Sequence, residues 1–231
     1  MGTNNAFIKT VLSIAVPVAL QCMLQSSFSI IDQIMIGQLG SVSIAAVGLA
    51  GKFSSIYQVV VSAIAVVAGI MIAQYMGKGE QAQVDRSLSV NLAAAILLAL
   101  GFTAACLGVP GHIMSIYTED AAMCAVAASY LRLIAFTFLP MAGAILLSTM
   151  LRCMERAALP LYASIVAAIV NTGLNYILIF GKLGAPRMEI AGAALGTLIA
   201  RIFDLFVICG YFFFVDKRIG YRLRSLTMKC G

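Results

Sequence analysis

Four polar side chains lie on one face of the first apolar segment: Gln21, Gln25, Ser29 and Asp32. Their spacing of four, four and three residues places them on the same side of an α-helix. A carboxylate in hydrocarbon is costly, so Asp32 either reaches water at the outer end of this segment or faces partners in the protein interior. In the second case, its carboxylate could take up a proton or, with further oxygen ligands, a sodium ion.

Three other apolar segments carry polar residues at helical spacing. They are Ser55, Gln58 and Ser62 in the second segment, Ser164, Asn171 and Asn175 in the fifth, and Thr197, Arg201 and Asp204 in the sixth. One polar face on each of four helices predicts a shared wet interior. The amide oxygens of Asn171 and Asn175 are hard ligands of the type that an alkali cation prefers. Two alternatives remain: hydrogen bonding between helices without an ion, and a local ion pair between Arg201 and Asp204.

The composition places these faces in a membrane protein. Of 231 residues, 62% are hydrophobic and only 10% are charged, with a mean hydropathy of +1.02, so polar surface is too scarce for a soluble globule. A helix needs about 20 apolar residues to cross the hydrocarbon core. Six such segments occur, at 7–36, 44–75, 89–109, 121–150, 160–180 and 190–215. The sequence predicts an all-α membrane protein with six transmembrane helices.

The positive charges predict the orientation of these helices. Lys and Arg flank alternate helix ends and the C-terminal tail, whereas the opposite loops hold only Lys182 and Arg187. Because positive residues in short loops stay in the cytoplasm, both termini are expected to be cytoplasmic. The net charge of +6 reflects this bias and a basic tail at 217–231, and it is no sign of nucleic-acid binding.

The sequence contains no usual constellation for catalysis. Its six cysteines have no metal-binding spacing, and it has a single histidine. It also lacks HExxH, GxSxG and Walker-type phosphate-loop patterns, which disfavours a membrane-embedded enzyme and predicts no cofactor. Gly192 and Gly196, four residues apart, instead predict a close helix contact in the sixth segment.

Four stretches together resemble the multidrug and toxic compound extrusion (MATE) family. They are DQIMIGQLG at 32–40, AQYMGKGE at 73–80, LRCMERAALP at 151–160 and NTGLNYILIFGKLGAPRMEIAGAALGTLIAR at 171–201. They follow the family's order and spacing over nearly the whole chain. The resemblance implies the N-terminal six-helix lobe of a twelve-helix antiporter in the inner membrane of a bacterium. Such antiporters export organic, often cationic, compounds in exchange for Na⁺ or H⁺.

The resemblance also implies a cation-coupling site. The family's N-lobe site falls on Asp32, Asn171, Asn175 and Thr197, with the backbone carbonyl of Ala193 as a further ligand. Some family members have Asp where this chain has Asn175, so the resemblance leaves Na⁺ and H⁺ both open. The remaining polar residues are candidates for the cavity wall: Gln21, Gln25, Ser29, Gln58, Arg201 and Asp204.

The length of the chain implies one lobe. Residues 1–216 are expected to form it, and the basic cytoplasmic tail at 217–231 resembles the start of the family's interlobe connector. We therefore expect a half-length or truncated transporter that pairs with a second copy or a second lobe. The alternatives are a fragment that cannot act without a partner lobe, and an exporter of lipid-linked glycans. Related glycan exporters tend to have a strongly cationic cavity, whereas intramembrane cations are sparse here.

Overall fold

The computed structural model describes residues 2–214, with side chains from Ile8 to Phe212 except Thr10. The described chain is helical, because a backbone in lipid must satisfy its own hydrogen bonds. The helices are α1 (Gly2–Gly37), α2 (Ser41–Lys78), α3 (Gln81–Gly108), α4 (Pro110–Ser115), α5 (Ala121–Ile134), α6 (Phe138–Cys153), α7 (Ala158–Phe180) and α8 (Glu189–Phe214). A 3-10 turn, Ala135–Thr137, joins α5 to α6. The predicted tail at 217–231 and the lobe boundary at 216 lie outside the described residues.

The expected six membrane spans are confirmed. Within residues 2–214, six spans are long and apolar enough to cross a membrane: Val11–Gly37, Ser41–Lys78, Gln81–Gly108, Ala121–Cys153, Ala158–Phe180 and Glu189–Phe212. The third helix starts eight residues before the predicted position 89. Its first two turns are polar, and the hydropathy pattern therefore did not include them.

The fourth span is broken at the 3-10 turn, which the sequence analysis did not predict. Pro140 has no N–H to donate to the carbonyl one helical turn earlier, and this favours a break before α6. Two threonines compensate for the break inside the bundle. The Thr137 hydroxyl donates to the Ile134 carbonyl at 2.6 Å, and the Thr103 hydroxyl of α3 donates to the Ala135 carbonyl at 3.1 Å.

This fourth span forms the centre of the bundle. Of its most apolar stretch, 72% of the residues are buried, against 6% for α1 at the edge. Tyr57 of α2 stacks on Phe138 with ring centroids 4.3 Å apart, and its hydroxyl donates to the Phe138 carbonyl at 2.7 Å. The central span therefore holds α2 and α3 on one side, while α7 and α8 pack tightly against each other beside it.

The predicted close contact of the last helix is confirmed. A Cβ added at Gly192 would lie 2.7 Å from the backbone carbon of Leu178 and 3.0 Å from the Ile179 nitrogen. One turn later, a Cβ added at Gly196 would overlap the Asn175 side-chain oxygen. The two glycines therefore let α8 approach the backbone and the polar residues of α7.

Candidate functional site

Asp32 faces the interior of the bundle and contacts α7. The Asn175 amide nitrogen donates to Asp32 Oδ1 at 2.9 Å, and the Asn175 side chain is only 1% exposed. Asp32 is therefore not a solvated residue at the outer end of α1, which was one of the two sequence interpretations. The polar faces of α1 and α7 meet at this hydrogen bond.

Asn171 links this pair to α8, and its amide can be placed in two ways. In one, Nδ2 donates to Thr197 Oγ1 at 3.4 Å, and Oδ1 accepts from Asn175 Nδ2 at 3.3 Å. In the other, Nδ2 lies 3.1 Å from both carboxylate oxygens of Asp32, and Oδ1 accepts from the Thr197 backbone N–H at 3.3 Å. The second orientation is favoured, because the first turns Oδ1 toward the carboxylate.

Thr197 and Ala193 complete the cluster on α8. The Thr197 hydroxyl donates to the Ala193 carbonyl at 2.9 Å, one helical turn earlier. The structure thus brings together all five residues that the resemblance implied as a cation site. We call them the Asp32 cluster: Asp32, Asn171, Asn175, Ala193 and Thr197.

The chemistry of the Asp32 cluster suits a hard cation. Its potential ligands are carboxylate, amide, hydroxyl and backbone oxygens, which alkali cations prefer over sulfur. The Asn175 oxygen is buried and has no hydrogen-bond partner in the described part of the chain. Among the described residues, no group of three or more His, Cys, Asp or Glu could hold a metal ion.

Two adjoining cavities open onto the cluster, with volumes of about 500 and 680 Å³. Five polar residues line both: Ser29, Asp32, Gln58, Thr197 and Arg201. Asn175, Ala193 and Lys52 line the smaller cavity, and Gln25, Asn171 and Asp204 line the larger one. Cavities with polar walls therefore lie along the polar faces of α1, α2, α7 and α8.

Gln21 is the one cavity candidate that lines neither of these two cavities. Its amide nitrogen donates to Ser164 Oγ at 2.7 Å, and its oxygen accepts from the Arg152 guanidinium at 3.1 Å. Arg152 was assigned in sequence to the positive flank of a helix, and its interior contact was missed. A basic residue at the end of an apolar run gives no signal for such a contact.

Tyr130 was also missed. It lines the smaller cavity with Asp32 and is 6% exposed. A tyrosine in an apolar helix is usually a core residue, so the sequence offers little to single it out.

The local ion pair between Arg201 and Asp204, one of the alternatives that the sequence left open, does not form among the described residues. Among the described residues, the one ion pair joins Arg187 to Glu189 at 3.4 Å, and both of these side chains are exposed. Asp204 is 7% exposed, and its Oδ1 has no hydrogen-bond partner. Arg201 and Asp204 stand three positions apart on α8, and both line the larger cavity.

Comparison with known families agrees with this arrangement. The family model MatE matches residues 17–177 of the chain. The chain belongs to the MatE family. The resemblance drawn from the four sequence stretches is therefore confirmed, and the family consists of transporters and not of enzymes.

Relatives of this MatE chain include two bacterial proteins, each described as a probable multidrug resistance protein NorM. The one from Rhizobium meliloti (strain 1021) is 30% identical over 187 residues, which cover 81% of this chain and 40% of the relative. The one from Agrobacterium fabrum is 29% identical over 215 residues, covering 91% and 45%. The MatE chain therefore spans less than half the length of these relatives. With its six apolar spans, it is a multi-pass bacterial membrane protein.

Two solved structures share the fold of the MatE chain. One is a MOP superfamily transporter from Pyrococcus furiosus, with a TM-score of 0.86 and 20% identity. The match covers 96% of this chain and 48% of the transporter's chain. An outward-facing multidrug resistance MATE family transporter of the MOP superfamily matches 96% with 49%, at the same score and identity. The six-helix bundle is thus the architecture of about half of each transporter.

Proposed function

We propose that residues 1–216 form one lobe of a secondary antiporter that exchanges small organic compounds for a cation. The Asp32 cluster is the coupling site in this proposal. The hydrogen bond between Asn175 and Asp32 carries it, because it holds a carboxylate inside the bundle at the wall of two cavities. A charge kept at such a cost is typical of an ion pathway.

Either H⁺ or Na⁺ can serve as the coupling ion, and the two ions need different numbers of ligands from the cluster. A proton needs only one oxygen of Asp32. A sodium ion needs several oxygen ligands at once, so the Asn175 amide must rotate and present the oxygen that now has no partner. In both cases the ion neutralises the carboxylate, and this change of charge is what an exported cation would sense.

The charge of the cavities supports organic compounds, including cations, as substrates. Two carboxylates, Asp32 and Asp204, are balanced by Lys52 and Arg201 along the two cavity walls. Export of lipid-linked glycans, the alternative, requires recognition of phosphate groups and would favour a strongly cationic cavity. The balanced charge supports the first substrate class over the second.

We infer that this lobe lies in the inner membrane with both termini in the cytoplasm and acts with a second lobe or a second copy. An even number of spans returns the chain to its starting side. Two such units can therefore pair about an axis along the membrane normal, like the parallel repeats of other transporters. The basic tail at 217–231 would then be the start of a cytoplasmic connector.

Proteoliposomes containing the purified 231-residue chain can identify the coupling ion. We expect ethidium uptake into the lumen to be driven by an outward gradient of one ion, either H⁺ or Na⁺, and to stop when that gradient is collapsed. If Na⁺ is the ion, Asn175→Leu should remove the drive, since it deletes an oxygen ligand. Uptake independent of both gradients would contradict the antiport proposal.

The orientation has a separate test. Leu183, in the loop between α7 and α8, is 89% exposed, and we expect Leu183→Cys to react from outside intact spheroplasts with an impermeant maleimide. The six native cysteines are first replaced by serine. Gln83→Cys, exposed at the start of α3, is the matched position on the other side and should react only after lysis. The reverse labelling pattern would contradict the proposed orientation.

A further inference from the structure

A second layer of polar side chains lies two helical turns from the Asp32 cluster. It consists of Gln25 on α1, Ser164 on α7 and Asp204 on α8. These residues stand seven positions before Asp32, seven before Asn171 and seven after Thr197. Seven residues span about 10 Å of helix. Since α8 runs antiparallel to α1 and α7, all three offsets lead to the same side of the cluster, and all three residues line the larger cavity.

Asp204 is the residue of this second layer with a buried oxygen that has no hydrogen-bond partner among the described residues. Asp204 is 7% exposed, and its buried Oδ1 accepts no hydrogen bond from the residues whose side chains the structure describes. Ser164, in contrast, accepts a hydrogen bond from Gln21. A buried carboxylate oxygen without a donor costs free energy, and a ligand that supplies an N–H or a positive charge would remove this cost.

The size and walls of the cavity indicate the kind of ligand. Its volume of about 680 Å³ is in the range of sites for drug-sized molecules. Apolar side chains line it beside the second layer, among them Phe28, Ala167 and Ala168. A bare alkali ion would need several converging oxygens and would leave this apolar wall unused.

We propose that Asp204 binds the positively charged, N–H-bearing group of the transported compound, while the apolar wall receives its hydrocarbon body. This inference rests on the proposed efflux function and assigns its substrate contact to a residue outside the Asp32 cluster. Substrate and coupling ion therefore occupy two layers of one cavity, about two helical turns apart.

Arg201 connects the two layers. It lies one turn beyond Thr197 and three residues before Asp204, and it lines both cavities beside these carboxylates. When a cation neutralises Asp32, Arg201 is attracted to Asp204 alone. The guanidinium of Arg201 then competes with the positive group of the substrate for the Asp204 carboxylate. Cation binding at Asp32 therefore weakens substrate binding at Asp204, as antiport requires.

Binding of a matched pair of dyes tests this assignment. Ethidium is a cation with N–H groups, and dihydroethidium is its uncharged reduced form, so the pair isolates the charge. Equilibrium dialysis against the purified 231-residue chain, at low proton and sodium concentrations, gives both dissociation constants. We expect Asp204→Asn to raise the dissociation constant of ethidium at least about tenfold, because a buried charge contact is lost. The dissociation constant of dihydroethidium should stay nearly unchanged.

Two further variants sharpen the test. Asp204→Glu keeps the charge and should retain most of the ethidium affinity. Asp85→Asn, on α3 and away from both cavities, should behave as the wild type. Unchanged ethidium binding in Asp204→Asn, or an equal loss for both dyes, would overturn the assignment of Asp204 alone. A wild-type chain that binds neither dye would overturn the proposed function as well.

Discussion

Asp32→Asn is expected to abolish cation-coupled efflux of ethidium by this chain, while its abundance in the membrane stays at the wild-type level. Asparagine has nearly the same shape as aspartate and can still accept the hydrogen bond from Asn175, so the cluster keeps its packing. It has no charge for a cation to neutralise, and the exchange loses its driving step. Dye efflux from pump-deficient bacteria, compared at equal membrane abundance, measures the effect.

The control for this variant is Asp85→Asn, which removes a carboxylate on α3 away from both cavities. It should export at the wild-type rate. Efflux by Asp32→Asn at that same rate would contradict the coupling role of Asp32. If the wild type exports nothing, the same comparison in cells that also produce a second lobe tests whether the chain acts only with a partner.

Gly192→Ala is expected to destabilise the bundle by about 1–3 kcal/mol, because it overpacks the contact between α7 and α8. The added methyl group would lie 2.7 to 3.0 Å from backbone atoms of Leu178 and Ile179. Backbone atoms cannot turn away as a flexible side chain can, so the two helices must separate. Their separation would also displace Asn175 and Thr197 relative to each other. The fraction of monodisperse protein after heating in detergent measures the loss.

Gly173→Ala is the matched control within α7. It adds the same methyl group to a helical glycine, but no atom of another helix lies within 4 Å of the new carbon. Alanine also has the higher helix propensity, so this variant should be as stable as the wild type or more stable. Equal stability of Gly192→Ala and Gly173→Ala would contradict the tight helix contact.

The membrane spans and the polar faces that carry the candidate site could be predicted because they depend on local patterns. Hydropathy fixes where a chain can cross a bilayer, and helical spacing fixes which polar residues share a face. These two rules produced six spans and the polar faces of α1, α7 and α8. The family resemblance then selected Asp32, Asn171, Asn175 and Thr197 from these faces.

The parts that the sequence did not reveal depend on contacts between distant segments. At the break before Phe138, the Ala135 carbonyl accepts a hydrogen bond from Thr103 on another helix. Gln21 lies on the same helix face as Asp32, yet its hydrogen bonds are with Arg152 and Ser164. Spacing on α8 left a pair between Arg201 and Asp204 open as an alternative, but both residues line the cavity shared with other helices. No local rule specifies such partners.

The central claim, that cation binding at Asp32 opposes substrate binding in the same lobe, is tested most directly by the ethidium dissociation constant measured over a range of proton and sodium concentrations. Linkage requires that a cation whose binding opposes substrate binding raise the ethidium dissociation constant as the cation fills its site. The rise ends at a plateau set by the coupling free energy between the two sites. We predict this dependence on one of the two ions for the wild-type chain and none for Asp32→Asn. A wild-type dissociation constant that changes with neither ion would contradict the account. So would an Asp32→Asn variant whose dissociation constant depends on the ion as in the wild type.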